Sequence, residues 1–131
     1  PHPDVRDGLQ ALKNKGYKLV SLTNSSNQGV YTQFKNADLL SYFDERLSVE
    51  DINFYKPDTR TYEWAIEKMG IAAEDAMLVA AHGWDIAGAK QAGWQAAFIA
   101  RPGKVLYPLA IAPDTVVSGL DELVSQLPDA K

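Results

Sequence analysis

The chain has 131 residues, is 46% hydrophobic and 23% charged, and carries a formal net charge of −4. These are the values of a globular protein with room for one domain, large enough to bury roughly two-thirds of its unfolded surface. Scattered basic residues without a stripe argue against a nucleic-acid partner, the lack of a long apolar run argues against a membrane span, and the lack of cysteine excludes disulfides and thiolate metal ligands. With no signal-peptide pattern, the expected compartment is the cytoplasm. A start at Pro1 without an initiator Met reads as a trimmed or processed product.

Pro1 to Pro3 read as an extended lead-in, and Asp4 is placed to cap a helix with Val5, Leu9 and Leu12 on one face. Gly16 ends that helix, after Lys13 and Lys15, which suit the negative end of a helix dipole. Tyr17–Thr23 is a strand, Asn24-Ser25-Ser26-Asn27 a polar turn, and a further helix runs through Val30, Phe34 and Ala37 and closes around Leu39 to Phe43. Arg46–Val49 is a short strand and Glu50–Asp58 a loop. Pro57 disfavours helix at Lys56, which leaves the lysine in extended backbone ahead of the next helix. That helix, Thr59–Met69, buries Tyr62, Ala65, Ile66 and Met69 and stops at Gly70.

Met77 to Ala81 is an apolar run that reads as a buried strand. It breaks at His82-Gly83-Trp84-Asp85 into a helix rich in Ala and Gly that ends at Gly93. Ala96–Ala100 is another strand, Arg101-Pro102-Gly103 a turn, and 104–114 a Pro-punctuated irregular stretch. Thr115–Val117 makes a last short strand, and Ser118 with Asp121 gives a capping-box-like start to a final helix over Gly119–Leu127. Alternating strands and helices predict a single α/β domain: a Rossmann-like parallel sheet with right-handed crossovers and flanking helices.

Three strand ends carry candidate chemistry, and open α/β sheets bind their ligands at such ends. They are Thr23-Asn24, Lys56, and His82 to Asp85. Each also has an ordinary explanation: Asn bonding its own turn, a solvated Lys before Pro, and a packed Trp followed by an acid that favours the helix dipole. With only two histidines, a zinc triad is excluded without many carboxylates. Taken together, a hydroxyl, an amide, a cation and a carboxylate at one sheet edge can serve one crevice. A lysine within ~4–6 Å keeps a carboxylate ionised and ready to attack.

The segments LVSLTNSS, FYKPDTRTYEWA and MLVAAHGWDIAGAK followed by AFIARPG resemble the haloacid dehalogenase superfamily, and within it the metal-free 2-haloacid dehalogenase branch. The resemblance implies an enzyme that needs no metal or cofactor and acts on a small 2-halo acid. It makes Thr23 the hydroxyl residue of the second motif and gives Asn24 to substrate and leaving halide. Lys56 becomes the third-motif lysine paired with the nucleophile, Tyr62 a pocket-lining residue, and Asp85 the fourth-motif acid near the lysine and the hydrolytic water. Trp84 packs beneath the site. The fourth motif departs from the family's Ser-x-Asn-x-x-Asp: Ala80 stands at the serine and His82 at the asparagine, where it binds substrate or orients water. Asp85 is the single acid of this loop, which disfavours the superfamily's Mg²⁺-dependent phosphatases.

The family's nucleophile, an Asp in an Asp-x-x-Gly-Thr motif ending the first strand, has no counterpart in these 131 residues. Asp114 imitates it but lies before the last strand. The family's helical cap is also missing. The resemblance therefore implies a partial core domain over 1–131, inactive alone, whose absent first strand is central. Its neighbours, Tyr17–Thr23 and Met77–Ala81, are expected to keep exposed edges. They would be satisfied by a homo-oligomer or by pairing with the missing N-terminal segment. The readings in competition are a phosphatase of the same superfamily and a non-catalytic interaction half-domain. The sharpest geometric expectation is that Asn24, Lys56 and Asp85 surround one vacancy sized for an aspartate.

Overall fold

The computed structural model describes residues 4–52, 54–100 and 112–130. The lead-in Pro1–Pro3, the turn at Arg101-Pro102-Gly103 and most of the irregular stretch after it lie outside the described residues. The chain divides into two compact units: Pro1–Asn53 with Leu120–Lys131, and Phe54–Gly119.

The first unit opens with α1 (Asp4–Asn14), which buries Gly8, Leu9 and Leu12. Val5, placed on the same face, is only half-buried. Strand β1 (Val20–Thr23) runs parallel to β2 (Glu45–Ser48), with Leu22 opposite Leu47 and Thr23 opposite Ser48. Helix α2 (Asn27–Asn36) connects them. Ser26 caps it, its side chain accepting the Gly29 N–H. The closing region after α2 is a separate 3-10 turn, Leu40–Tyr42.

The last helix, α5 (Leu120–Gln126), returns to this unit and packs on α1. A methyl group on Gly8 would come within 2.5 Å of the Leu120 side chain, so the absent side chain is what admits α5. Asp4 is the first residue of α1, and its Oδ2 accepts the Leu120 N–H at 2.6 Å, which serves an orphan donor of α5.

The second unit begins with α3 (Thr59–Met69), bounded as its periodicity predicts. Asp58 caps its start through the Arg60 N–H, and Gly70 ends it at φ +69°, a left-handed cap that glycine adopts without steric cost. Tyr62 and Ala65 are buried, whereas Ile66 and Met69 are only half-buried. Strands β3 (Met77–Ala80), β4 (Gln95–Ile99) and β5 (Thr115–Val117) form a parallel sheet in that order. Helix α4 (Gly83–Gln91) crosses from β3 to β4. Ile86, Ala96 and Phe98 make a buried cluster, with Leu78 and Ala80 packed against it.

Two sequence expectations change here. The strand Met77–Ala81 is half-buried along its length rather than buried. The physical reason is pairing: among the described residues β3 is bonded along one edge only, by β4, and β1 along one edge only, by β2. Of the exposed edges anticipated for these two strands, the described residues show the lack of a second strand partner. The strand expected from Tyr17 starts at Val20: the Tyr17 N–H still bonds the Leu12 carbonyl at 3.1 Å, and the Leu19 N–H goes to Asp44 Oδ2 at 2.6 Å. Lys15 Nζ donates to the Val124 carbonyl at 2.8 Å and also to that of Leu127, and the Tyr17 hydroxyl donates to the Pro128 carbonyl at 2.7 Å.

Candidate active site

The chemistry-bearing cluster of the second unit is built on a turn and a helix start. Tyr55–Asp58 is a β-turn closed by the Asp58 N–H on the Tyr55 carbonyl at 2.9 Å, with the Lys56–Pro57 peptide cis. Across from it, Asp85 lies in the first turn of α4, where a carboxylate is favoured by the helix dipole. The Lys56 ammonium donates to Asp85 Oδ2 at 2.7 Å, and the Tyr62 hydroxyl donates to Asp85 Oδ1 at 2.5 Å. Both carboxylate oxygens are therefore engaged, by a cation on one side and a neutral donor on the other.

Burial gives this cluster its weight. The Lys56 and Asp85 side chains retain 10% and 8% of their exposure, and Tyr62 none. Loss of water raises the pKa of the Tyr62 phenol well above its ordinary value, and the bond to Asp85 and its charge push it further the same way. Tyr62 therefore stays protonated and acts as a donor throughout the working pH range. Its ring meets Trp94 edge-on, with centroids 5.6 Å apart.

Gly88, one turn beyond Asp85, makes the approach possible. A Cβ there would lie 2.7 Å from the Tyr62 hydroxyl and ring and 2.9 Å from Pro57 Cβ. No side chain fits between α4 and these two residues. This requirement is invisible to periodicity, since an Ala-rich helix reads the same with or without it. Trp84, expected to pack beneath the site, has the Lys56 ammonium 5.5 Å from its ring centroid, within cation–π range. His82 is exposed at the N-cap position of α4, its ring 5.7 Å from that of Trp84.

Thr23 and Asn24 belong to the first unit. Thr23 Oγ1 accepts the Ser25 N–H at 3.0 Å, a local turn bond made by the threonine where one is expected from the asparagine, and Asn24 is exposed. The first unit also holds a cavity of about 300 Å³ between α2 and β2, lined by Asn27, Tyr31, Arg46 and Ser48 among others. None of the six candidate residues lines it. Asp114, set aside as an imitation of the nucleophile, has a structural role. Its Oδ2 accepts the Ala96 N–H at 2.7 Å, and its carboxylate pairs with Lys90 at 3.0 Å. Both bonds hold its pKa below the usual value, the backbone N–H more than the lysine.

The second unit thus combines a parallel α/β arrangement with a buried lysine–aspartate–tyrosine cluster at the start of α4. The chain belongs to the haloacid dehalogenase-like hydrolases, whose family model matches residues 1–99. It is 36% identical over 124 residues to an (S)-2-haloacid dehalogenase of Pseudomonas sp. (strain YL), a match covering 95% of this chain and 53% of that one. It superposes with a TM-score of 0.90 and 26% identity on the L-2-haloacid dehalogenase of Xanthobacter autotrophicus, solved with chloropropionic acid covalently bound, over 95% of this chain and 60% of the other. A phosphatase of the same superfamily from Thermococcus onnurineus superposes with a TM-score of 0.85 and 29% identity, over 98% of this chain and 60% of its own. The chain spans about half the length of the curated relatives it matches.

Proposed function

We propose that this chain is part of the catalytic core domain of a longer 2-haloacid dehalogenase. In that reading an aspartate supplied from outside these residues attacks C2 of an (S)-2-halo acid. A C–O bond forms as the C–halogen bond breaks, and the halide leaves with the electron pair. Water then adds to the resulting ester, releasing the 2-hydroxy acid and restoring the carboxylate. The observation that carries the reading is the buried Lys56–Asp85 pair at 2.7 Å with Tyr62 on the remaining oxygen. Asp85 fixes the lysine, and the lysine holds the attacking carboxylate ionised. Asn24 takes the departing halide, with Thr23 beside it. His82, at the mouth of α4, contacts the substrate, and Tyr62 borders the pocket through its hold on Asp85. The site works without metal or cofactor, in the cytoplasm.

The complete protein should release halide from (S)-2-chloropropionate without added metal. Mg²⁺-dependent phosphate release from p-nitrophenyl phosphate, with no halide release, would replace this reading by a phosphatase. Absence of both activities would favour a binding role. The open edges of β1 and β3 are each covered, in this proposal, by the upstream segment of the longer protein. The 131-residue chain made alone should therefore self-associate, and a clean monomer by light scattering would count against that part.

A further inference from the structure

Lys56 reaches Asp85 from a turn, and a turn has no ladder of its own to fix it. Its two ends are instead held by one side chain. Before the turn, the Phe54 ring lies under the Arg60 guanidinium, with Cζ 3.7 Å from the ring centroid. After it, Asp58 receives the same guanidinium as a fork, Nε to Oδ1 at 3.1 Å and Nη2 to Oδ2 at 2.8 Å. Asp58 Oδ1 also takes the Arg60 N–H at 2.9 Å, which ties the turn to the first residues of α3. Tyr55, Lys56 and Pro57 thus hang between two contacts of a single planar group. A guanidinium can offer an edge to a carboxylate and a face to a ring at the same time, which an ammonium cannot.

We propose that Arg60 is a positioning residue for Lys56, closing the turn on both sides so that the ammonium is aimed at Asp85. The proposal rests on the dehalogenase reading for its activity readout. The Arg60 side chain is 61% exposed, so its two contacts add little to global stability, and a change in turnover can be separated from a change in folding.

The test uses the complete protein with Arg60→Ala, Phe54→Ala, Phe54→Tyr and the double Ala variant. Arg60→Ala and Phe54→Ala should each lower kcat for halide release about five- to tenfold with little change in KM, and Phe54→Tyr should keep wild-type turnover. The double variant should be no worse than either single one, because both remove the same clamp. Lys56 also has a signature independent of turnover: its side-chain NMR shifts, displaced by the Trp84 ring, should move toward ordinary lysine values in Arg60→Ala. Unchanged kcat and unchanged Lys56 shifts in folded Arg60→Ala would overturn the positioning role and leave the dehalogenase reading intact. A wild-type protein that releases no halide but shows the shift change would overturn the activity and uphold the clamp.

Discussion

One lysine–aspartate pair from each unit can be set side by side, and the two differ in what their contact is worth. In the first unit Lys13 meets Asp44 at 3.3 Å with about a third of each side chain still exposed. In the second Lys56 meets Asp85 at 2.7 Å with about a tenth exposed. The first pair exchanges water for a partner at little net gain. The second removes both charges from water, so each depends on the other. The same ion pair stays solvated in one place and is desolvated in the other, and burial decides how far each partner depends on its mate.

The largest effect that sharpens this contrast is removal of one partner from the buried pair. Lys56→Ala in the complete protein should lower halide release on the order of 10²–10³-fold, the scale of losing a preorganised charge at a reacting centre. It should also cost about 3–5 kcal/mol in denaturant unfolding, because Asp85 is left buried and unpaired. The double change Lys56→Met with Asp85→Leu should recover most of that stability and none of the activity. If Lys13→Ala, expected to cost under about 1 kcal/mol, proved as damaging as Lys56→Ala, burial would not be the deciding variable.

Next in size is Gly88→Ala. The added methyl must displace Tyr62 or Pro57, at about 1–3 kcal/mol for overpacking, and should reduce turnover by moving the hydroxyl off Asp85. Tyr62→Phe keeps the ring and leaves Asp85 Oδ1 unsatisfied, for a loss of about 1–3 kcal/mol with no steric component. Comparable turnover in the two variants would assign the glycine's effect to that one hydrogen bond.

The smallest effect concerns acid. Asp44 is held below the usual carboxylate value chiefly by the Leu19 N–H, with Lys13 and Lys18 helping, and Asp114 chiefly by the Ala96 N–H. Asp58 is lowered to about 2 by Arg60. Each folded pKa lies below its unfolded value, so the unfolded chain binds protons first as pH falls. The stability these groups contribute is complete above about pH 4 and is lost on acidification through the folded values. Thermal scans of Asp44→Asn and Asp114→Asn should show a flatter decline than wild type between pH 4 and 2.

Much of this was legible in the sequence. The alternation of strands and helices and the span of α3 follow from periodicity and capping residues, and the joining of Lys56 to Asp85 from the family resemblance of their motifs. What escaped has a common cause. The late start of β1 goes with the Leu19 N–H bonding the Asp44 carboxylate, Lys15 and Tyr17 reach residues more than a hundred positions away, and Asp4 serves a helix at the other end of the chain. Gly88, Phe54 and Arg60 matter through closeness that only the folded chain creates. Half-burial of the apolar run at Met77 depends on what lies along its free edge, which its own composition cannot express.

The discontinuity of the first unit bears on how a nascent chain matures. Residues 54–119 are contiguous, whereas the notch at Gly8 stays vacant until Leu120 has been synthesised. This part of the first unit is thus completed only after the whole second unit has been made. During that interval its leading helix presents Leu9 and Leu12 to any chaperone within reach.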